Sequence, residues 1–266
     1  MTLTDDQLER YARHIRLADV GLEGQGKLLA AKVLVIGAGG LGSPLIQYLT
    51  AAGVGTIGVV DDDTVDLSNL QRQVLHGTDN VGVAKVESAV KGARAINPDI
   101  NIVPYKVRLT EENARSLIKN YDVVADGSDN FETRFLINDA CYFEKKTLVS
   151  AAVLRFDGQL SSYKPHEGGP CYRCLYPEPP PADDVWTCEQ AGILGAVAGV
   201  MGTLQATEVL KEIIGIGESM AGRLMIYDAL DFTMRVVKVR PDPSCALCSE
   251  KATLTDVGQQ PDTAAA

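Results

Sequence analysis

Two patterns of apolar residues alternate along the first 150 positions. Short runs rich in valine, isoleucine and leucine predict buried strands, and segments with an apolar residue at every third or fourth position predict helices. The predicted strands span residues 32–37, 56–60, 100–107, 122–125 and 148–152. The predicted helices span residues 5–17, 81–96, 110–119 and 131–144, with another that follows Gly42 and ends at Gly53, and a glycine-rich turn is expected at 21–26. This alternation predicts an α/β fold with a doubly wound, Rossmann-like and mostly parallel sheet.

The second half of the chain has a different pattern. Residues 155–164 alternate between apolar and polar positions, as an antiparallel strand does, and residues 224–227 and 233–239 also predict strands. A helix of small residues is expected over 190–213, after a proline-rich acidic loop at 177–184. We therefore expect one domain over residues 1–250, in which a C-terminal antiparallel extension continues the sheet. Residues 251–266 lack apolar periodicity and are expected to form a disordered tail.

Composition and charge narrow the class of protein. The 266 residues are 45% hydrophobic and 23% charged, which is typical of a globular protein. A net charge of −10 disfavours a nucleic-acid partner, because an acidic surface repels phosphate backbones. The N-terminus carries charges where a signal peptide is apolar, and the longest uncharged stretch of the C-terminal half, 191–207, is too short and too rich in glycine to cross a membrane. We expect a cytoplasmic enzyme without a membrane segment.

A glycine motif follows the first predicted strand. Gly37, Gly39 and Gly42 have the spacing of a dinucleotide-binding turn and open the next helix. Glycine lets the backbone turn tightly and brings its amides close to phosphate, and the helix N-terminus adds positive potential. Asp61 stands at the end of the second strand, where a carboxylate accepts hydrogen bonds from ribose hydroxyls. The motif predicts an adenine nucleotide and leaves both NAD and ATP open.

Charged residues after the second and fourth strands favour ATP. Arg72 and Lys85 have the charge to offset a triphosphate, although surface solubility is the favoured explanation of each of them taken singly. Asp129 follows the fourth strand at the carboxyl edge, where ligands of such sheets bind. Its carboxylate is a candidate magnesium ligand, and the alternative is that it caps the helix beginning at Phe131.

Four of the six cysteines form two Cys-x-x-Cys pairs, which are Cys171 with Cys174 and Cys245 with Cys248. In a reducing compartment this pattern predicts a tetrahedral structural zinc site, ahead of disulfides or a redox motif. Four protein ligands leave no open position, so we expect no catalysis from the metal.

The remaining cysteines and the histidines carry weaker signals. Cys188 lies before the long predicted helix, whose N-terminus would favour a thiolate, and a nucleophile and a buried small side chain remain equal alternatives. Cys141 is expected in the core. The histidines, His14, His76 and His166, show no metal-ligand spacing and are expected to be ordinary surface or packing residues.

Taken together, these motifs resemble the adenylyltransferases that activate ubiquitin-like sulfur carriers, namely the MoeB, ThiF and HesA proteins, relatives of the ubiquitin-activating enzymes. The similarity runs from about Leu8 to Cys248 with the motifs in order. The motifs that carry it are the glycine run 37–42, Asp61, residues 68–73, Lys85, residues 128–130, Cys171-Tyr-Arg-Cys174 and the closing Cys-x-x-Cys.

The resemblance implies an activity. It implies ATP-dependent adenylation of the C-terminal Gly-Gly carboxylate of a carrier similar to MoaD or ThiS, with release of pyrophosphate. The acyl-adenylate would serve sulfur transfer in molybdopterin synthesis, in thiamine (thiazole) synthesis or in tRNA thiolation, and all three pathways stay open. Residues of about 30–150 would then bind the nucleotide, and residues of about 151–250 would hold the zinc and the carrier.

The resemblance also implies roles for single residues. The implied nucleotide contacts are Gly37, Gly39, Gly40, Gly42, Asp61, Ser68, Asn69, Leu70, Gln71, Arg72, Lys85, Asp129 and Asn130, and Asp129 also holds magnesium. Arg72, Lys85 and Asp129 would be catalytic, together with Arg13, which reaches the neighbouring subunit's ATP site in a homodimer. Cys188 matches a cysteine that in some members acts in the transfer step. We expect the sulfur to come from a separate donor, such as a cysteine desulfurase or a sulfurtransferase, because no rhodanese-like domain follows.

Two other functions compete with this one. The glycine turn and Asp61 by themselves also permit an NAD-binding oxidoreductase with a structural zinc, although no acid for hydride transfer is identifiable. The third alternative is a non-enzymatic scaffold that is stabilised by zinc and binds a partner.

Overall fold

One mixed sheet organises the protein, whose computed structural model describes residues 3–181 and 188–261, the side chains of 188 and 189 excepted. Its strands are β1 (Lys32–Ile36), β2 (Thr56–Val60), β3 (Asn101–Tyr105), β4 (Val123–Asp126), β5 (Thr147–Leu154), β6 (Asp157–Tyr163), β7 (Arg223–Asp228) and β8 (Thr233–Lys238). They lie in the order β3-β2-β1-β4-β5-β6-β7-β8. The first five strands are parallel, and the pairs from β5 to β8 are antiparallel.

Helices cover both faces of the sheet. They are α1 (Asp5–Arg10), α2 (Ala12–Ile15), α3 (Gly21–Ala30), α4 (Gly42–Ala52), α5 (Lys85–Ile96), α6 (Ala114–Ile118), α7 (Phe131–Phe143), α8 (Tyr172–Leu175), α9 (Cys188–Ala191) and α10 (Gly195–Ile214). Successive residues of β1 point to opposite faces, as in any strand. Val33 and Val35 therefore join the apolar cluster under α4 and α10, whereas Leu34 and Ile36 join the cluster under α6 and α7. None of the helices in these ranges is long and apolar enough to span a bilayer.

The predicted fold is confirmed, and its topology places the site. Strand order reverses direction between β1 and β4, since the chain moves outward from β1 to β3 and then returns to the other side of β1. At such a switch point the loops after the two strands diverge and leave a crevice, where ligands of doubly wound sheets bind. The glycine motif follows β1 and Asp129 follows β4, so both predicted motifs lie at this crevice.

Several predicted boundaries differ from the structure; the helix expected over 5–17, for example, is divided into α1 and α2. The expected glycine-rich turn at 21–26 is part of α3, because Gln25 and Leu28 are buried and their packing outweighs the poor helix propensity of glycine. The helix expected from 81 starts at Lys85, because backbone hydrogen bonds join Val65 to residues 82 and 83. The single helix expected over 190–213 is two helices, since residues 192–194 leave the helix and Ile193 pairs with Arg155.

The segment expected to be a disordered tail is packed over the part that the structure describes. Within 251–261, Leu254 is buried beside Cys245 and Leu247. Asp256 accepts a hydrogen bond of 3.0 Å from Arg115. A few apolar and ionic contacts thus hold this segment against α6, although it has no periodic pattern. Residues 262–266 lie outside the described ranges.

Candidate nucleotide site and cysteine cluster

The glycine loop between β1 and α4 requires two of its glycines. Gly37 has a φ of +92°, and a Cβ there would lie 2.9 Å from the carbonyl oxygen of Gly127. A Cβ on Gly42 would overlap the carbonyl oxygen of Gly37. These two glycines allow the turn, whereas Gly39 and Gly40 present bare backbone to the adjoining cavity.

A cavity of about 320 Å³ lies over the carboxyl ends of β1, β2 and β4. Its lining includes many of the predicted site residues, and these are Gly37, Gly39, Gly40, Asp61, Arg72, Lys85, Asp129 and Asn130. Gly42 and residues 68–71 are not part of the lining. Bare backbone, cations and carboxylates facing one cavity are the groups that a nucleotide triphosphate requires.

Asp61 is held rigidly at the end of β2. Its Oδ2 accepts a hydrogen bond of 2.8 Å from the backbone N–H of Ala38, and its Oδ1 accepts one of 2.9 Å from that of Asp63. Burial raises the pKa of Asp61, and the Ala38 hydrogen bond and the positive charge of Lys85 oppose that rise. The carboxylate therefore has one fixed orientation in the cavity wall, with a lone pair on each oxygen left for a ligand hydroxyl.

Lys85 brings a shielded positive charge to the same wall. It is the first residue of α5, and its Nζ lies 2.8 Å from Oδ2 of Asp63. Only 8% of the Lys85 side chain is exposed, against 67% of that of Asp63. Asp61, Asp62 and Asp63 have carboxylate oxygens within 4.8 Å of one another, so Lys85 also offsets their mutual repulsion.

Arg72 reaches the cavity from a short segment that follows β2. Asp66 caps a 3-10 turn at Leu67–Asn69, and its hydrogen bonds with Ser68 lower the pKa of Asp66. The Arg72 guanidinium donates a hydrogen bond of 3.1 Å to the carbonyl oxygen of Ser68. Gly195, the first residue of α10, packs directly against the carbonyl of Gln71. In this structure the segment 68–71 positions Arg72 and does not itself line the cavity.

A buried carboxylate fixes the loop after β4. Asp126 accepts hydrogen bonds from the backbone and the hydroxyl of Ser128, at 2.9 and 2.6 Å, and one of 2.7 Å from the hydroxyl of Ser150. Arg134 donates to the carbonyl oxygen of Ser128 at 2.6 Å. The loop is therefore rigid where it carries Asp129 and Asn130.

The structure separates the two roles considered for Asp129. Asn130, not Asp129, caps α7, because its Oδ1 accepts a hydrogen bond of 2.9 Å from the backbone N–H of Thr133. The Asp129 side chain is exposed and faces the cavity. Magnesium in nucleotide sites binds one or two carboxylates and keeps several waters, and an exposed carboxylate at the cavity mouth fits that requirement.

The four paired cysteines meet in one cluster. The sulfur of Cys171 lies 3.9 Å from that of Cys174 and 3.6 Å from that of Cys245, and the sulfurs of Cys174 and Cys248 are 3.4 Å apart. Four thiolates at zinc–sulfur bonds of about 2.3 Å form a tetrahedron with edges of about 3.8 Å. The separations fit zinc and are far longer than a disulfide bond of about 2.05 Å.

Arg13, a predicted catalytic residue, is not brought to the cavity. Arg13 is exposed on α2 and does not belong to the cavity lining. Cys188 begins the short helix α9, and its side chain lies outside the described residues. The argument that a long helix favours its thiolate is wrong, because α10 starts only at Gly195.

Sequence reasoning missed two residues of the site. Arg108 lines the cavity from the segment after β3, and the rule that ligands bind at carboxyl ends of strands would have identified it. His76, expected to be an ordinary residue, is buried and contacts the glycine loop at the carbonyl oxygen of Ala38. No spacing in the sequence points to that contact.

A second cavity, of about 690 Å³, adjoins the first. The two share walls at Arg108, Asp129 and Asn130. Phe135, Leu136, two prolines of the acidic loop and residues 258 and 260 of the C-terminal segment complete the second cavity.

Comparison with known proteins places these features in a family. The sequence model of the ThiF family matches residues 11–247. The chain is 52% identical over 256 residues to adenylyltransferase and sulfurtransferase MOCS3 of Bos taurus, covering 96% of this chain and 56% of that protein. It therefore spans about half the length of that relative.

Two further relatives match over most of their own length. The SAMP-activating enzyme E1 of Haloferax volcanii is 50% identical over 252 residues, with 94% of this chain and 93% of that protein covered. The sulfur carrier protein adenylyltransferase of Thermus thermophilus is 48% identical over 257 residues, with 95% of each covered.

Solved structures agree on the fold. A crystal structure of E. coli MccB superposes with a TM-score of 0.81 at 21% identity, covering 94% of this chain and 76% of that one. PaaA superposes with a TM-score of 0.75 at 21% identity, covering 90% of this chain and 76% of that one. At this identity the likeness concerns the architecture alone.

Proposed function

Because this chain belongs to the ThiF family, we propose that it is an adenylyltransferase that activates a ubiquitin-like sulfur carrier protein with ATP. The carrier would end in Gly-Gly, as MoaD and ThiS do, and its C-terminal carboxylate would become an acyl-adenylate for sulfur transfer. The observation that carries the proposal is the cavity at the switch point, which gathers Asp61, Arg72, Lys85 and Asp129 around the bare backbone of the glycine loop. The names of the three relatives favour nucleotidyl transfer over the oxidoreductase alternative.

Each group in the cavity has a part in binding ATP. The fixed carboxylate of Asp61 accepts hydrogen bonds from the ribose hydroxyls. The backbone of Gly39 and Gly40 approaches the phosphates, and Arg72 and Lys85 offset their charge. Asp129 would hold magnesium, which when bound adds positive charge at the phosphate oxygens.

The reaction needs positioning and charge neutralisation and does not need a strong base. A carboxylate oxygen of the carrier attacks the α-phosphorus and forms a new P–O bond. The bond from the α-phosphorus to the bridging oxygen breaks, and its electron pair leaves with pyrophosphate. The attacking carboxylate is already ionised at neutral pH, so no proton has to be removed. Arg72 and Lys85 stabilise the charge that spreads over the phosphate oxygens in the transition state.

The carrier would dock on an apolar surface beside the cavity. Leu154 and Phe156 lie where β5 meets β6, and Leu230 and Phe232 lie where β7 meets β8, all four exposed and Phe232 at 84%. A hydrogen bond of 3.0 Å from the N–H of Ala229 to the carbonyl oxygen of Phe156 joins the two hairpin ends. Val153, next to this surface, lines the cavity, so a tail leaving a docked carrier enters directly. Contiguous exposed apolar residues are typical of protein-binding surfaces.

A homodimer would complete the site. The exposed Arg13 would extend into the ATP site of the partner subunit, as in related dimers. This predicts complementation between two inactive variants, Arg13→Ala and Asp129→Ala. Random mixing of subunits would restore about a quarter of the sites, because only mixed dimers form one intact site each. If the subunits are shown to exchange and activity is still not restored, the site is not shared between subunits.

The later steps and the location are also part of the proposal. The cysteine cluster would hold zinc as a structural ion, and Cys188 would act in the transfer of sulfur from a donor protein such as a cysteine desulfurase or a sulfurtransferase. The enzyme would work in the cytoplasm, where ATP is available and thiols stay reduced.

Isotope exchange between pyrophosphate and ATP tests the activity directly. Purified protein is incubated with candidate carriers of the molybdopterin, thiazole and tRNA thiolation pathways, one at a time. Carrier-dependent exchange with one of them would support the proposal and identify the pathway. The matched control is a carrier that lacks its last two glycines. Binding of NAD in preference to ATP, with no exchange for any carrier, would overturn the proposal.

A further inference from the structure

Two hydrogen bonds hold the backbone of Ala38 in the glycine loop, one on each of the two peptide units that meet at this residue. Its N–H donates to Oδ2 of Asp61 at 2.8 Å. Its carbonyl oxygen lies 2.8 Å from Nε2 of His76, a residue that is 6% exposed. The N–H belongs to the peptide unit before the Ala38 Cα and the carbonyl to the unit after it, so the two bonds together fix the backbone of Ala38 and connect the imidazole ring to the carboxylate in the cavity wall.

The direction of these hydrogen bonds follows from their chemistry. A carbonyl oxygen only accepts, so Nε2 of His76 must carry the hydrogen. Burial lowers the pKa of His76, and the Ala38 contact opposes this only in part, so the ring is neutral and its Nδ1 is an acceptor. Nδ1 lies 2.8 Å from Oγ of Ser88, which therefore donates to it. Asn80 in turn donates to Oγ of Ser88 at 2.8 Å.

These bonds form one directed chain, from Asn80 through Ser88 and His76 to the Ala38 carbonyl. Ser88 lies on α5, and the same helix begins with Lys85. The His76 ring thus joins the glycine loop to the helix that supplies a cation to the cavity. Each member has a partner, so the network is fully satisfied and rigid.

We propose that His76 is a positioning residue for nucleotide binding: by donating from Nε2 to the Ala38 carbonyl, it fixes the Ala38 backbone, whose N–H in turn orients the Asp61 carboxylate toward the ribose. The inference rests on the proposed function in that the ligand is an adenine nucleotide. His76 does not line the cavity and touches no ligand, so its effect must pass through Ala38. A residue that only fills space at this position would not need a donor at Nε2.

The tautomer of His76 can be measured in the unaltered protein. The chain has three histidines, so long-range ¹H–¹⁵N spectra resolve each ring. We expect His76 to be neutral and protonated at Nε2, in contrast to the mixture of tautomers typical of an exposed ring. Protonation at Nδ1, or rapid exchange between the tautomers, would overturn the proposal whether or not the protein adenylates a carrier.

A pair of substitutions separates the donor from the volume of the side chain. The amide nitrogen of glutamine reaches about as far as Nε2 of histidine, whereas that of asparagine reaches only about as far as Nδ1. His76→Gln therefore keeps a donor for the Ala38 carbonyl, and His76→Asn leaves that carbonyl without one. We expect His76→Asn to weaken ATP binding about tenfold and His76→Gln to weaken it less than about threefold.

Steady-state kinetics, together with ATP affinities measured by calorimetry, complete the test. The loss should appear in KM for ATP and leave kcat at saturating ATP nearly unchanged, because the reacting phosphates are held by other groups. Folding of each variant is checked by circular dichroism. If His76→Asn does not fold, the test rests on the ATP affinity of His76→Gln and on the tautomer of His76 in the unaltered protein. Equal ATP affinity of folded His76→Asn and His76→Gln would overturn the proposal. Failure of the wild-type protein to bind ATP would instead overturn the proposed function.

Discussion

Arg173 and Asp139 form a buried, two-pronged ion pair between the cysteine cluster and α7. Arg173 donates from Nε to Oδ1 at 2.8 Å and from a terminal nitrogen to Oδ2 at 2.7 Å, and each side chain is 1% exposed. The guanidinium carbon also lies 4.8 Å from the centre of the Phe135 ring. Because Arg173 stands between the cluster ligands Cys171 and Cys174, the cluster is fixed to the helix whose first turn borders the nucleotide cavity.

Removal of the arginine should destabilise the protein strongly. Arg173→Met leaves the Asp139 carboxylate buried without an opposite charge, which costs about 3–5 kcal/mol in the free energy of unfolding. The double variant Arg173→Met with Asp139→Leu should recover much of that loss, since no unpaired charge remains. Urea denaturation of both proteins measures the difference, and equal losses would show that Arg173 acts by packing alone.

The stability lost in Arg173→Met should depend on pH. Burial raises the pKa of Asp139, and Arg173 and a hydrogen bond from Asn138 oppose that rise, so in Arg173→Met only the Asn138 bond still opposes it and the pKa rises further. A carboxyl group whose folded pKa is raised stabilises the fold when protonated and loses that contribution as pH rises through its unfolded pKa toward the folded one. The deficit of Arg173→Met should therefore be smallest in acid and grow toward neutral pH, as measured by urea denaturation at several pH values.

Substitutions of the neighbouring residues Asp129 and Asn130 should have different effects, the first on the rate of adenylation and the second on stability. Asp129→Ala should reduce carrier-dependent pyrophosphate exchange about a thousandfold and leave stability within about 0.5 kcal/mol, because its side chain is exposed and caps nothing. Asn130→Ala should cost about 1 kcal/mol of stability through loss of the α7 cap. Exchange assays and thermal melts of the two variants check this contrast. Near-normal exchange in Asp129→Ala would remove that residue from the mechanism.

Two of the cations that line the cavity, Arg72 and Lys85, should affect the rate of adenylation. Arg72→Ala and Lys85→Ala should each slow exchange about a hundredfold, the cost of one lost charge contact in the transition state. Lys119→Ala, which removes an exposed cation distant from the cavity lining, is the matched control and should keep the normal rate. Identical rates in all three variants would make Arg72 and Lys85 surface charges of no catalytic importance.

The cysteine cluster should bind about one zinc per chain. Cys174→Ser should lower zinc content and melting temperature together, since metal binding is coupled to folding. Cys141→Ala provides the comparison, because Cys141 is buried elsewhere, on α7, and this variant should keep its zinc. Elemental analysis by mass spectrometry gives the stoichiometry. Protein that is free of zinc and equally stable would contradict the assignment.

Cys188 should matter after adenylation. Acyl-adenylate formation needs no thiol, so Cys188→Ala should exchange pyrophosphate normally and fail in sulfur transfer. Intact-protein mass spectrometry should find a covalent carrier adduct on the wild type and none on Cys188→Ala. Full sulfur transfer by the variant, with a competent donor, would end any role for this thiol.

Local patterns predicted the parts of the site that depend on local geometry. The glycine loop, Asp61 after β2 and Asp129 after β4 follow from strand ends and spacing, and the sheet places them together. The two cysteine pairs were recognisable for the same reason, because each pair spans a single turn.

Contacts between distant segments could not be predicted in this way. Arg173 and Asp139 are 34 residues apart, and His76 meets Ala38 across 38 residues, with no spacing rule that links either pair. The helix at 21–30 was missed for a similar reason, since packing against α4 and α10 outweighs its glycines. Such positions depend on the assembled core rather than on their neighbours in sequence.

β8 is the outermost strand on one side of the sheet, and its exposed edge affects how the purified protein should be stored. One side of β8 pairs with β7, so the backbone groups on its other side point away from the sheet. An outer strand with exposed Met234 and Val236 is a template for stacking copies of the chain into aggregates. Arg235 and Lys238, on the same strand, place like charges on two approaching copies and oppose that stacking. Concentrated protein should consequently keep better at low ionic strength than in high salt, which screens the repulsion.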